Sequence, residues 1–200
     1  MDLQFRLNWP LPCLILLGIF VSCLDVKAEL SIKRNGRVDI ALEYLLTKEF
    51  AEFGRGFGAD DPWPLPITEK DFILQTIRHE GVKLKRYRLR QSADGEERVL
   101  VQLEAESVEA MRDFLGWDIV TEGDSKSGLL RIILPPVRSE AAELLNLLPE
   151  LKQSEFELRV KLSGMKTVTG GEMEGSAAVF RTSPGELLTL NQSPYWEVSW

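Results

Sequence analysis

One histidine, His79, and two cysteines, Cys13 and Cys23, are all the imidazole and thiol that this 200-residue chain holds. With no second histidine and at most one cysteine left after processing, neither a zinc site nor an intramolecular disulfide can be assembled. A serine nucleophile would have to recruit His79, and no Gly-x-Ser-x-Gly elbow is present. The run Gly54-Arg55-Gly56-Phe57-Gly58 lacks the lysine and the strand-turn-helix setting of a phosphate loop. Asp60-Asp61 lacks the ligand spacing of a calcium loop. No cofactor is implied. Carboxylates are abundant, which leaves a glycosidase-type acid/base pair as the one catalytic class still open. With positive catalytic signals missing, a protein that is not an enzyme is favoured.

Positive charge is also scarce. Lys and Arg number 24 against 31 Asp and Glu, a formal balance of −7. Nucleic acid, which needs a basic face, is a poor candidate partner. Long apolar runs are lacking too. The longest, from Leu11 to Leu24, is about 14 residues, short of the ~20 that a spanning helix needs. Preceded by Arg6 and the α-amino group, it matches the apolar segment of an export signal. What remains, with 44% hydrophobic residues overall, is enough for one sizeable core.

Two cleavage points are available. Phe20-Val21-Ser22-Cys23 resembles a bacterial lipobox, with Phe20 where Leu is usual, and Val26-Lys27-Ala28 resembles an ordinary signal-peptidase site. The strand pattern weighs them. Leu24, Val26, Ala28, Leu30 and Ile32 alternate with polar residues, and Val38, Ile40, Leu42 and Tyr44 continue the parity after a turn. A two-residue Asn-Gly turn would put the two apolar sets on opposite faces. A three-residue loop, Arg34-Asn35-Gly36 with Gly36 left-handed, pairs Ile32 with Val38, Leu30 with Ile40 and Val26 with Tyr44. Cutting after Ala28 would truncate this strand opposite an intact partner, so cleavage before Cys23 and lipidation there are expected. The expected organisation is a lipoprotein signal peptide at 1–22 and one envelope domain at 23–200.

Ala93-Asp94-Gly95 repeats the three-residue device, pairing Leu89 with Val99 and Tyr87 with Val101. One bulged residue near Lys85-Arg86 restores the parity, setting Leu84 against Leu103, Val82 against Ala105 and Lys83 against Glu104. "KLKRYRLR" is the one basic run. It reads either as a patch for anionic lipid or glycan or, the favoured reading, as the polar face of a strand neutralised by Glu104 and Glu106.

Thr68-Glu69-Lys70-Asp71 forms a capping box opening a helix that ends at Gly81, with His79 near its carbonyl end. Ser107 caps a short helix carrying Val108, Met111 and Leu115. Further helices are expected from Ser139 to Leu148 and after Ser183-Pro184. Strands are expected at 129–134, 156–162 and 195–200, and the Gly-rich "TGGEMEG" as a loop. The predicted fold class is α+β, antiparallel hairpins packed with several short helices. The stretch from Phe53 to Ile67 carries Phe57, Trp63 and Leu65 among Gly- and Pro-rich turns. It reads as an aromatic loop touching lipid or a partner, or, the favoured reading, as a connection folded back on the core.

At this point the residues resemble a family. A Cys leading straight into an alternating strand and an Asn-Gly turn resembles the LppM-like bacterial lipoproteins, a family of unknown function. "PLPIT" before a capped helix, the Asp-Gly hairpin and a late apolar strand ending in Trp agree, over most of residues 23–200. Some relatives carry a C-terminal membrane helix; the lack of one before Trp200 implies Cys23 as the anchor. The resemblance implies an envelope setting, linked to lipids and glycolipids, and no catalytic residues. The expectation is a lipid-anchored protein of the cell membrane or outer membrane, facing the periplasm or cell exterior, that binds envelope lipid or glycolipid. The alternative is a scaffold subunit of an envelope protein complex.

Overall fold

The computed structural model describes residues 24–48, 51–52, 66–93, 95–123, 127–134, 154–189 and 195–200. Within them the chain forms β1 (Leu24–Ile32), β2 (Val38–Leu46), α1 (Glu69–Arg78), β3 (Val82–Gln91), β4 (Glu97–Ala105), α2 (Val108–Leu115) and β5 (Asp118–Gly123). There follow β6 (Gly128–Ile133), β7 (Phe156–Leu162), β8 (Thr167–Thr169), β9 (Glu172–Glu174), β10 (Ala177–Thr182), α3 (Pro184–Thr189) and β11 (Tyr195–Ser199).

Both hairpin registers follow from the alternation and the loop length. β1 pairs with β2 as Ile32 with Val38, Leu30 with Ile40, Ala28 with Leu42 and Val26 with Tyr44. Gly36 takes φ +83, and the Lys33 N–H donates to the Arg37 carbonyl at 2.8 Å, closing the three-residue loop. β3 pairs with β4 through Leu89–Val99 and Tyr87–Val101, then shifts between Leu84 and Arg86, so that Leu84 meets Leu103. The bulge keeps both Leu84 and Tyr87 on the core side of a strand whose simple parity would have turned Tyr87 out.

The strands assemble into a seven-stranded sheet, β3-β4-β2-β1-β7-β10-β9, and a four-stranded sheet, β5-β6-β11-β8. β1 and β7 run parallel at the centre of the large sheet. Its apolar face is covered in two parts. The small sheet lies over β7 and β10: Trp196 stacks on Phe180 at 5.1 Å and on Phe156 at 5.8 Å, and Trp117 meets Phe156 edge-on at 5.9 Å. Over β2 and β3 sits α1, whose fully buried Phe72 lies between Tyr44 and Tyr87. Burial pushes the Tyr44 phenol well above its ordinary value. The Tyr87 hydroxyl donates to the Ile67 carbonyl at 2.7 Å, fixing the approach to α1.

The helix starts read from the sequence are present. Thr68 and Asp71 make the reciprocal capping box of α1, and the Ser107 Oγ accepts from the Ala110 N–H at 3.1 Å. The α+β class is not. The molecule is mostly β, with two stacked sheets and three short helices among the described residues. The difference lies in β5, β8, β9 and β10, which the sequence pattern did not reveal; part of "TGGEMEG", expected as a loop, forms β9. The helix expected from Ser139 to Leu148 lies outside the described residues. No described helix is long and apolar enough to cross a membrane.

Candidate functional site

Where β1, β5, β7 and β11 reach the same end of the molecule, the two sheets part and leave a cleft of about 640 Å³. This volume falls in the range of ~300–1,000 Å³ typical of small-molecule sites. Its apolar walls come from Ile32 at the end of β1, Leu162 at the end of β7, Leu130 on β6, Val108 at the start of α2, and Trp200. The rim is polar: Lys33 and Arg34 from the first hairpin loop, Ser107 and Glu109 from α2, and Thr121 and Glu122 from β5.

Trp200 is placed by backbone and by a glycine. Its N–H donates to the Gly128 carbonyl and its carbonyl accepts from the Gly128 N–H, both at 3.1 Å, extending the β6–β11 ladder by one pair. A Cβ at Gly128 would lie 2.3 Å from the Trp200 ring, so only glycine lets the indole rest there against the cleft.

The rim electrostatics favour an uncharged ligand group. The amino-terminal end of α2 would suit an anion, but its Ala110 N–H already donates to Ser107 and its Glu109 N–H to the Glu109 carboxylate. A hydrogen bond from its own backbone N–H, then one with Ser107, holds the Glu109 carboxyl below the ordinary carboxylate range. Lys33 is paired with Asp39 at 2.8 Å. An apolar floor with a mixed polar rim fits an amphipathic molecule better than a phosphate.

Among the residues singled out by sequence, Cys23, Phe57, Trp63 and Leu65 lie outside the described residues. Ile67, at the end of the same aromatic stretch, is buried. His79 is the residue that ends α1, its ring edge-on to Phe114 at 5.7 Å, away from the cleft. The basic run is split: Lys83 pairs with Glu106 at 3.1 Å and Lys85 with Glu104 at 3.3 Å, whereas Arg86 and Arg88 lie on the open face of the sheet. Among the described residues no three His, Cys, Asp or Glu come together as metal ligands. The cleft residues were not singled out as a site by sequence, because they lie at six places in the chain, from Ile32 to Trp200. The Arg34-Asn35-Gly36 loop was the one local signal near them.

The sequence matches no protein-family model and no curated protein. Among solved structures, the folded domain of Mycobacterium tuberculosis LppM is similar at 11% identity and a TM-score of 0.44, with 88% of each chain covered. An aminopeptidase N family protein from Idiomarina loihiensis is similar at 10% identity and a TM-score of 0.34. There the match covers 87% of this chain and 29% of the other.

Proposed function

We propose that this is a non-catalytic binding protein of the bacterial envelope, anchored through Cys23, whose end cleft takes a single-chain amphiphile such as the lipid part of a glycolipid. The observation that carries the reading is the cleft itself. Its apolar walls open at the solvent-facing mouth between two sheets, and its rim offers hydroxyls and carboxylates to a polar head.

The position of the cleft adds a consequence. β1 begins at Leu24 and ends at the cleft with Ile32, so the strand's nine residues span roughly 30 Å between them. A lipid on Cys23 would hold the other end of the strand at the bilayer, and the cleft would open away from that surface. Such a protein would carry or present its ligand rather than grip it inside its own membrane. Cys23→Ser is expected to abolish labelling by a fatty-acid analogue and release the protein from membranes. A mature chain beginning at Glu29, found by mass spectrometry, would remove the anchor.

Val108→Glu tests the cleft. Val108 is the first residue of α2, where an added carboxylate suits the helix dipole, so folding should be kept while a charge enters the apolar wall. Affinity for a single-chain alkyl glycoside is expected to fall by at least about tenfold, at the ~1.5–3 kcal/mol scale of an apolar side-chain burial. Unchanged affinity in the folded variant would dismiss the cleft as the binding site.

The scaffold reading rests on a different surface. Ile73, Leu74 and Ile77 of α1 are 44%, 43% and 73% exposed, an apolar helix face that fits a protein partner. A partner seated there would slow amide hydrogen exchange in α1 and leave the cleft unchanged.

A further inference from the structure

The outer, polar face of the seven-stranded sheet is curved into a groove of about 580 Å³, on the opposite side of the sheet from the core. One row across it runs Arg88, Leu100, Glu43, Lys27, Glu157, each facing the next on the neighbouring strand. The next row runs Arg86, Gln102, Ala41, Glu29, Arg159. Ala41, Leu100 and Gln102 make a low floor, and the charged side chains stand on either side.

The carboxylates of this groove are already engaged. Glu43 accepts from Arg98 at 2.8 Å, Glu29 from Lys161 at 2.8 Å, and Glu157 from both Arg159 and Arg181 at 2.9 Å. Lys27, Arg86 and Arg88 make no hydrogen bond or ion pair with any described residue. A chain of net charge −7 therefore presents two arginines without a carboxylate partner in one concave place, with Lys27 beyond them between Glu43 and Glu157.

The bulge in β3 is what puts them there. Without the shift between Leu84 and Arg86, Lys85 and Tyr87 would face outward and Arg86 and Arg88 would point at the core. With it, both arginines stand two residues apart on the open face, roughly 7 Å from each other. Like charges so placed repel, and an anion seated between them relieves the repulsion. Bulges recur where a strand re-aims side chains at a site.

We propose that this groove binds a ligand bearing two or more phosphate groups. Arginine forks match phosphate oxygens bidentately, and two adjacent unpaired guanidiniums with a lysine beyond them call for a multiply charged partner rather than a single carboxylate. From Arg86 and Arg88 on β3 to Lys27 on β1 is three strand spacings, about 14 Å, room for an extended array of phosphates. The proposal is independent of the cleft and of the anchor.

The test is calorimetric titration of the full chain in a nonionic detergent with sodium tripolyphosphate and, separately, with bis(glycerophospho)glycerol, the deacylated two-phosphate headgroup of a diphosphatidyl lipid. Neither probe has an apolar chain, so the cleft plays no part. Binding that weakens with added salt is expected, with a loss of about tenfold for each of Arg86→Gln and Arg88→Gln. A smaller loss is expected for Lys27→Gln. Arg34→Gln, at the cleft rim, should bind as the wild type. A response to tripolyphosphate alone identifies a soluble phosphate ligand, and a response to the headgroup as well identifies lipid phosphate. The proposal is overturned if neither probe binds, or if the triple variant melts normally and binds both as the wild type does.

Discussion

Phe180→Ala is expected to cost about 3–5 kcal/mol and to lower the melting temperature by roughly 6–20 °C. Phe180 is fully buried on β10, at the point where the large sheet meets the small one, with Trp196 stacked on it at 5.1 Å. Alanine would remove the ring and leave a void that the rigid stack of Trp196 and Phe156 cannot collapse into. Scanning fluorimetry of the variant reads the effect directly. A fall of less than about 3 °C would show that the two sheets do not pack there.

Glu157→Ala is expected to cost about 2 kcal/mol near neutral pH, and the loss should depend on pH. Glu157 is 8% exposed on β7 and accepts from Arg159 and Arg181, which also share Glu174. Desolvation on its own pushes the carboxyl up; the two arginine hydrogen bonds outweigh it and hold the group below its ordinary 4.5. A depressed folded pKa gives stability that is complete above the unfolded value and is lost as pH falls through the folded one. Two charged hydrogen bonds at a buried site would suggest more than 2 kcal/mol. The arginine side chains are 35% and 40% exposed, however, and water screens part of the interaction. Urea melts of both proteins should differ most at neutral pH and converge in acid. A gap that stays constant or widens below pH 4.5 would refute this account of Glu157.

The two hairpins were legible because everything that fixes them is local. An alternating apolar set and a Gly-ended loop of three residues settle the register, and a break in parity between Leu84 and Tyr87 locates the bulge. The helix starts were legible for the same reason, since a cap is a matter of three or four residues.

β10 was not. Ala177, Ala178, Val179 and Phe180 are all buried, so the strand shows no alternation. Ala177 and Val179 face outward but are small and flanked by the long side chains of Lys161 and Arg159 on β7. β8 and β9 are three residues each, too short to carry a period. The parallel pairing of β1 with β7 joins segments more than 120 residues apart, and no local pattern encodes it. These strands turn an expected α+β chain into a two-sheet one. The cleft shares the difficulty, because it is made from the ends of elements that only the assembled sheets bring together. The phosphate-binding groove was half visible: "KLKRYRLR" marked the arginines, but which of its cations stay unpaired depends on Glu104 and Glu106 across the ladder.

Methyl NMR of Ile, Leu and Val side chains, during titration of the protein with dodecyl maltoside below its micelle concentration, tests the cleft reading most directly. Saturable shifts are expected at Ile32, Val108, Leu130 and Leu162, which line the cleft. Ile40 and Leu103, buried in the core and not part of the cleft lining, should stay still. Titration shifts that avoid the four cleft methyls, or that grow without saturating across the whole surface, would contradict an amphiphile site at this end of the molecule.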